Sequence, residues 1–383
     1  MTFEFATATR IIFGEGKGRE VASLARSWGR RVFVVTGWNT ARCEWLMADL
    51  EKLGCEIVIF SVSGEPTIEL AERGAEAARA HRSEVVIGLG GGSVIDAAKA
   101  IAVLVTNIEP VIDYLEVIGA GKQLEADPLP FIAVPTTAGT GAEVTRNAVL
   151  SSPEHQLKVS LRSPKMLPAI AVVDPELTYE LPPEITAYTG LDALTQLIEP
   201  FLCSKANPLT DGICREALPR VARALPVAFR DGKNVAARRD MALGSLCGGL
   251  ALANAGLGAV HGFAAPIGGM FDAPHGAVCA ALLPAVMKVN LRAVIALEVT
   301  GALERFDELG RLLTSDEGAN AEHAVQAIEN LCRELKVPSL QKYAVQVKDF
   351  DLLCERAAAA SSMKANPVEL DHEELYEILE WSL

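Results

Sequence analysis

The chain has 383 residues, a length that favours two domains over one ordinary core. Half of it is hydrophobic and only 5% aromatic, with abundant Ala, Val, Leu and Gly, which suits an α/β or helical enzyme better than a β-sandwich. A net charge of -14 without any basic stripe argues against a nucleic-acid partner. Cys43, Cys55, Cys203, Cys214, Cys247, Cys279, Cys332 and Cys354 show no C-x-x-C spacing and read as free thiols in a reducing compartment. The start, Met1-Thr2-Phe3-Glu4-Phe5, lacks a basic region followed by an apolar run, so a cytoplasmic location is expected. Two apolar runs invite a membrane reading. Asp96, Lys99 and a glycine cluster interrupt residues 85–105, and Asn254, His261 and Pro266 interrupt residues 248–270. The second is expected to be a buried core helix, and no membrane partner is expected.

Residues 3–13 alternate apolar and polar side chains and end in Gly14-Glu15-Gly16, the pattern of a strand, a turn and a helix entry. Strands are predicted at residues 31–36, 55–60 and 84–87, with helices at about 41–53 and 68–81 between them. This alternation implies βαβ units and a parallel sheet. Strands at 131–134, 148–150, 158–160 and 169–174 complete the first half, and a domain boundary is placed between residues 180 and 181.

Two loops in that half stand out. The third strand runs into Gly88-Leu89-Gly90-Gly91-Gly92-Ser93-Val94-Ile95-Asp96, ahead of a helix. Glycines there let the backbone approach a pyrophosphate, whose charge the helix N-terminus can receive; the plain alternative is a tight turn without a ligand. Ser93 and Asp96 also have capping-box spacing. The second loop, Pro135-Thr136-Thr137-Ala138-Gly139-Thr140-Gly141, packs short hydroxyls beside glycines. It reads either as a hydroxyl-rich turn or as a contact for a cofactor's phosphates and ribose.

From residue 184 onward the pattern is helical. Asp192 and Gln196 are four residues apart and so share a helix face. Asn207-Pro208 marks a break. Residues 253–258 are small, polar-faced helices are predicted at 295–313 and 322–335, and Asp371-His372-Glu373-Glu374 reads as an acidic helix start. Asp192, His261 and His275 lie in apolar surroundings that normally exclude such groups, and unpaired burial would cost each roughly several kcal/mol. Convergence on one divalent metal ion would resolve that cost. His81, His155, His323 and His372 read as surface residues.

Together these segments resemble the iron-containing (group III) alcohol dehydrogenase family. The motifs that carry the resemblance are Gly90-Gly91-Gly92-Ser93-x-x-Asp96-x-x-Lys99, Pro135-Thr136-Thr137-Ala138-Gly139-Thr140-Gly141-x-Glu143-Val144-Thr145, Asp174-Pro175-x-Leu177-Thr178, Gly190-x-Asp192-Ala193-Leu194, Asn254-Ala255-Gly256-Leu257-Gly258-x-x-His261 and Pro274-His275-Gly276. The resemblance implies a Rossmann-like α/β dinucleotide-binding domain over residues 1–180. It implies an all-helical metal- and substrate-binding domain over residues 181–383, with a metal between the two, and a homodimer. It also implies NAD or NADP as cofactor and Fe2+ or Zn2+ as metal. The activity it implies is hydride transfer between a small alcohol and its aldehyde or ketone. Gly90, Gly91, Gly92 and Ser93 would bind the pyrophosphate, Thr136, Thr137 and Thr140 the phosphate and ribose, and Lys158 would lie near the nicotinamide ribose. Gly37, Asn39, Pro66, Asp96 and Val149 complete the implied cofactor positions. Asp192, Gln196, His261 and His275 occupy the metal-ligand positions, with His261 and His275 as the catalytic candidates.

The departures from the family pattern are specific. Gln196 stands where a histidine ligand is usual, Ala265 where a second histidine is often found four residues after His261, and Ala142 in place of a serine. An amide is a weak ligand, but three protein donors with an open position still make a catalytic zinc site. The alternative is a metal-independent reductase in which His261 or His275 supplies the proton. Gly262 and Ala265 suggest a roomier or less polar pocket than a histidine would leave. After the first long strand, Trp38-Asn39-Thr40-Ala41-Arg42 lacks an acid to pair with the adenine ribose, so acceptance of NADP(H) is expected. Rival readings on the same scaffold are a maleylacetate-type or hydroxyacid–oxoacid oxidoreductase, a dehydroquinate-synthase-like lyase, and a non-catalytic nucleotide-binding protein. The absence of Lys and Arg from residues 246–279 favours a neutral substrate over an anionic one.

Overall fold

The apolar runs of the first half form the strands of a parallel sheet, in a computed structural model that describes residues 2–383. The chain divides into two units: Thr7–Thr137 with Gly141–Tyr179, and Glu180–Leu383 with Ala138–Thr140 and the first described residues up to Ala6. A single cut between residues 180 and 181 would give both small segments to the sheet unit, whereas they pack with the helices.

In the sheet unit the elements follow as β1 (Arg10–Phe13), α1 (Val21–Arg26), β2 (Arg31–Gly37), α2 (Glu44–Lys52), β3 (Glu56–Val62), α3 (Ile68–Ala80), β4 (Val85–Gly90), α4 (Gly92–Thr106), a short α5 (Val111–Tyr114), β5 (Phe131–Pro135), β6 (Asn147–Ser152), β7 (Leu157–Arg162) and β8 (Ile170–Val173). Six strands form one sheet in the order β1-β8-β5-β4-β2-β3, with every pairing parallel. Successive residues of β2 point to opposite faces. Val32 and Val34 pack with residues of α1 and α2 such as Ala22 and Leu46, while Phe33 and Val35 pack with Leu70 of α3 and Ile101 of α4. Because helices cover both faces, the strands read as continuous apolar runs rather than alternating ones. β6 and β7 form a separate antiparallel hairpin, whose Ala148, Leu150, Val159 and Leu161 pack with Ala71 of α3 and Ala100 of α4.

Only Arg10–Phe13 of the strand expected over residues 3–13 is formed. Its partner β8 offers four residues, and ahead of them the Thr9 N–H donates to Pro168 O at 3.2 Å without extending the ladder. Ala6 instead exchanges hydrogen bonds with the Asn254 side chain, at 2.6 and 3.0 Å. The capping box expected from Ser93 and Asp96 is absent. α4 starts one residue earlier, at Gly92, with no side chain capping it, and Asp96 turns to accept the Val149 N–H at 3.1 Å.

The helical unit contains α6 (Pro183–Leu202), α7 (Pro208–Arg230), α8 (Val235–Asn254), α9 (Ala259–Met270), α10 (His275–Ala296), α11 (Thr300–Thr314), α12 (Ala321–Glu334), α13 (Phe350–Ala359) and α14 (His372–Trp381). α6, α7, α9 and α10 supply most of one apolar core. The single helix expected over residues 248–270 is two helices, α8 and α9, meeting at 96°. At the break, a Cβ on Gly258 would come within 2.8 Å of Asn366 Oδ1 and 2.9 Å of Glu199 Oε1, so this close approach requires glycine. The helix predicted over residues 295–313 is likewise split, α10 ending at Ala296 and α11 starting at Thr300. Between them Glu298 adopts the left-handed region, at φ 54°. Among the described residues α10 alone is by itself long and apolar enough to cross a membrane, and 72% of its apolar window is buried inside the protein.

Gly141, at φ 59°, turns the chain into residues 142–144, where the Glu143 side chain is fully enclosed. Burial pushes this carboxyl up to about 7, only partly offset by its own backbone N–H and by Lys99. Folding therefore takes up a proton here, and the stability present below the unfolded value is lost as pH rises through about 7. The gap between the two values is worth at most roughly 3 kcal/mol. Glu143→Gln should flatten the decline in Tm between about pH 5 and pH 8; thermal melts with the same slope as the parent would refute this.

Candidate active site

The buried midpoint of α6 carries Asp192 and Gln196 one turn apart, 1% and 3% exposed, while the hydroxyl of nearby Thr195 is hydrogen-bonded to the helix backbone. α9 contributes His261 in its first turn, directly after the glycine break. α10 begins at His275 after Pro274, and the helical repeat puts Cys279 on the same face one turn later. The donor atoms of Asp192, His261, His275 and Cys279 all lie within 4.8 Å of one another. Nε2 of His261 is 3.4 Å and Nε2 of His275 is 3.7 Å from Asp192 Oδ1. Cys279 Sγ lies 3.6 Å from His275 Nε2 and 3.9 Å from His261 Nε2.

Asp192 Oδ1 and Gln196 Oε1 are both buried without an aligned hydrogen-bond partner. Such an acceptor is costly to bury and is the kind of atom a cation would satisfy. Burial alone would raise the Asp192 carboxyl, but the charges of His275 and His261 and the nearby polar groups of His261 and Gln196 hold it below its ordinary value. For His261 and His275 burial acts downward and is outweighed by Cys279 and the neighbouring carboxylates, so both imidazoles are raised. Burial raises the Cys279 thiol, yet the two imidazoles bring it below its usual value. The site thus sets a carboxylate and a thiol beside two imidazoles, a donor set in which a divalent cation could take the place of protons.

The other ring nitrogen of His261 is fixed. Nδ1 lies 2.6 Å from Glu199 Oε2, and Glu199 Oε1 accepts the Val260 N–H at 2.7 Å. Glu199 accepts through both oxygens, so Nδ1 carries the hydrogen and Nε2 is left free toward Asp192 and Cys279. Asn366 Oδ1 accepts the Ala259 N–H at 3.1 Å, holding the same helix start.

Within the sheet unit the carboxyl ends of β2, β4 and β5 lie side by side, with Thr36 opposite Leu89 and Gly90 opposite Pro135. Gly37 ends β2, and Asn39 follows in an exposed connection with Arg42. Gly90 ends β4, and half-buried Gly91, Gly92 and Ser93 open α4. The first N–H groups of that helix have no intrahelical acceptors and no side-chain cap, which suits an anion. Thr136 donates its N–H to Gly90 O at 2.9 Å, and a Cβ on Gly91 would meet the Thr137 side chain at 3.3 Å. Pro66, Asp96, Val149 and Lys158 gather around the β6–β7 hairpin. Pro66 O accepts the Ser151 N–H at 2.8 Å, Asp96 accepts from Val149, and Lys158 pairs with Glu65 at 3.2 Å. Thr140 belongs to the helical unit.

Two of the residues at the site, Cys279 and Glu199, are not apparent from sequence patterns read segment by segment. Cys279 reads as one scattered thiol among eight, although its four-residue spacing from His275 is a usable signal. Glu199 follows Asp192 by seven residues on the same helix face. The Met363 side chain lies against Gly262, so that a Cβ there would come within 2.8 Å of Met363 Cε.

Residues 8–175 match the model of iron-containing alcohol dehydrogenases, and residues 186–383 match that of the C-terminal domain of Fe-containing alcohol dehydrogenases. The chain is 33% identical over 373 residues to alcohol dehydrogenase 4 of Saccharomyces cerevisiae, covering 96% of this chain and 95% of that protein. It is 42% identical over 271 residues to long-chain-alcohol dehydrogenase 1 of Geobacillus thermodenitrificans, covering 70% and 68%. The crystal structure of a 1,3-propanediol oxidoreductase superposes with a TM-score of 0.92 at 31% identity over 100% of both chains. An alcohol dehydrogenase from Oenococcus oeni gives a TM-score of 0.91 at 30% identity, over 100% of both chains.

The fold and the matched segments define a nicotinamide-dependent oxidoreductase of the alcohol dehydrogenase type. The chain belongs to the iron-containing alcohol dehydrogenase family.

Because Glu199 orients His261, Glu199→Gln should weaken metal binding roughly 10–100-fold while leaving the fold intact. Metal titration of the apoprotein checks this, and parent-like affinity in the variant would remove Glu199 from the role.

Proposed function

We propose that this protein interconverts a small neutral alcohol and its aldehyde or ketone, with hydride passing to or from a nicotinamide dinucleotide. In this reading residues 1–180 bind the dinucleotide, and residues 181–383 bind a divalent metal and the substrate. Two copies pair as a homodimer, as the family pattern implies. The observation that carries it is Asp192 Oδ1, a buried acceptor with no hydrogen-bond partner and two imidazole nitrogens within 3.7 Å.

Asp192, His261 and His275 would hold the ion. When bound, it polarises a carbonyl or makes an alcohol proton easier to lose. The protein's own part is positional. Glu199 keeps His261 Nε2 free, and the nearly complete burial of Asp192, His261 and Cys279 keeps water from those donors. The His275 side chain is 32% exposed, against 7% for His261 and 2% for Asp192, which makes it the open edge of the set. Gly90, Gly91, Gly92, Ser93, Thr136, Thr137 and Thr140 would seat the phosphates and ribose. Gly37, Asn39, Pro66, Asp96, Val149 and Lys158 would frame the rest of the cofactor. A neutral substrate is supported by residues 246–279, which carry no Lys or Arg. NADP(H) is supported by the lack of an acid after β2, where Arg42 is exposed.

The test is a panel of aldehydes and alcohols assayed with NADH, NADPH and their oxidised forms, before and after chelation. Turnover should fall to background on chelation and return with zinc or iron. The kcat/KM for NADPH should at least equal that for NADH. Full activity at negligible metal content would overturn the metal-dependent reading, and a strong NAD preference would overturn the coenzyme assignment.

A further inference from the structure

The metal-ligand position that the family pattern gives to a histidine is held here by Gln196, and the structure offers a different donor. We propose that Cys279 Sγ completes Asp192, His261 and His275 as a fourth metal ligand, making a mixed oxygen–nitrogen–sulfur site that favours zinc over iron. The proposal rests on the metal-dependent reading above and extends it to the identity of the ligands and the ion.

The geometry is quantitative. A tetrahedral ion bound at about 2.0–2.1 Å by nitrogen or oxygen and about 2.3 Å by sulfur puts N and O donors about 3.4 Å apart and N and S donors about 3.6 Å apart. The observed N–O separations are 3.4 and 3.7 Å, and the N–S separations are 3.6 and 3.9 Å. These four separations match the corresponding tetrahedral edges to within about 0.3 Å, and all the donor atoms lie within 4.8 Å of one another.

A thiol in an apolar core would by itself carry no such meaning. This one faces a buried carboxylate oxygen with no hydrogen-bond partner, and its sulfur lies beside two imidazole nitrogens on separate helices. Cys279 is itself fully buried.

Gln196 is oriented otherwise. Its Oε1 has no hydrogen-bond partner and lies toward the backbone at Gly248, 3.6 Å from where a Cβ there would sit. A neutral amide oxygen is also the harder, weaker donor, whereas thiolate selects zinc among the two metals the family pattern implies. Four protein donors are compatible with reactivity, because zinc sites expand to five donors during catalysis.

Cobalt(II) substituted into the full-length apoprotein gives a readout independent of turnover. Bound by a thiolate, it shows a sulfur-to-cobalt charge-transfer band in the near ultraviolet. The parent protein should show this band with one cobalt per chain, and Gln196→Ala should retain it. Cys279→Ser should bind cobalt at least roughly tenfold more weakly and lack the band. Zinc content after expression should exceed iron in the parent. Circular dichroism of Cys279→Ser shows whether the helices persist, and the parent spectrum stands even if that variant does not fold. Cobalt bound stoichiometrically without the sulfur band overturns the Cys279 ligand and leaves the three-ligand site standing. A band that persists in Cys279→Ser also overturns it. Failure of the parent to bind any divalent ion overturns both readings together.

Discussion

A carboxylate in the middle of a buried helix is the constraint around which the helical unit is arranged. Sixteen of the residues of α6 are buried, so Asp192 has no route to solvent of its own. Its charge must be met by groups brought from elsewhere, since an uncompensated buried charge costs several kcal/mol. Those groups arrive on two other helices, His261 near the start of α9 and His275 at the start of α10. Helix starts suit the task because a short break on the N-terminal side lets the chain change direction there. The 96° turn between α8 and α9 allows α9 to enter the core with His261 in its first turn.

That turn depends in its own way on a second carboxylate. Glu199 lies two turns along α6 from Asp192 and fastens both the Val260 backbone and the His261 ring. One helix therefore supplies both a donor of the candidate site and the group that aims another. Gly258 is tied to the same contact, because a side chain there would displace the Glu199 carboxylate. Asn366, hydrogen-bonded to Asn290 at 2.6 Å and to the Ala259 N–H, closes the arrangement from a late segment of the chain. Around His261 the buried polar groups Glu199 and Asn366 have specified partners, the condition under which such networks rigidify rather than weaken a core.

The sheet unit achieves its candidate site differently, through topology. Parallel strands with helices on both faces bring the loops after β2, β4 and β5 to one edge, and each of those loops carries glycine or hydroxyl residues. No buried charge is needed to assemble it. This explains why the glycine and threonine loops are legible as local patterns, strand then small residues then helix. The candidate ligand set of the helical unit, by contrast, is spread over 88 positions from Asp192 to Cys279 in ways that no local period encodes. The expectation of a strand over residues 3–13 failed because pairing length is set by the partner strand. The Ser93–Asp96 capping box failed because Asp96 had a backbone donor, Val149, available from a hairpin more than fifty residues away.

The sequence by itself determined the βαβ alternation, the glycine turn into α4, the helical character of the second half, and three residues too polar for their surroundings. These follow from side-chain periodicity and from the cost of burying polar groups, which act over one element at a time. The tertiary structure decided which donors meet. Cys279 joins Asp192, His261 and His275 because α6, α9 and α10 pack at this point, and Gln196 Oε1 lies toward the backbone at Gly248. Distances of 3.4–3.9 Å between side chains on three helices are a product of packing, and packing is a property of the whole core rather than of any segment.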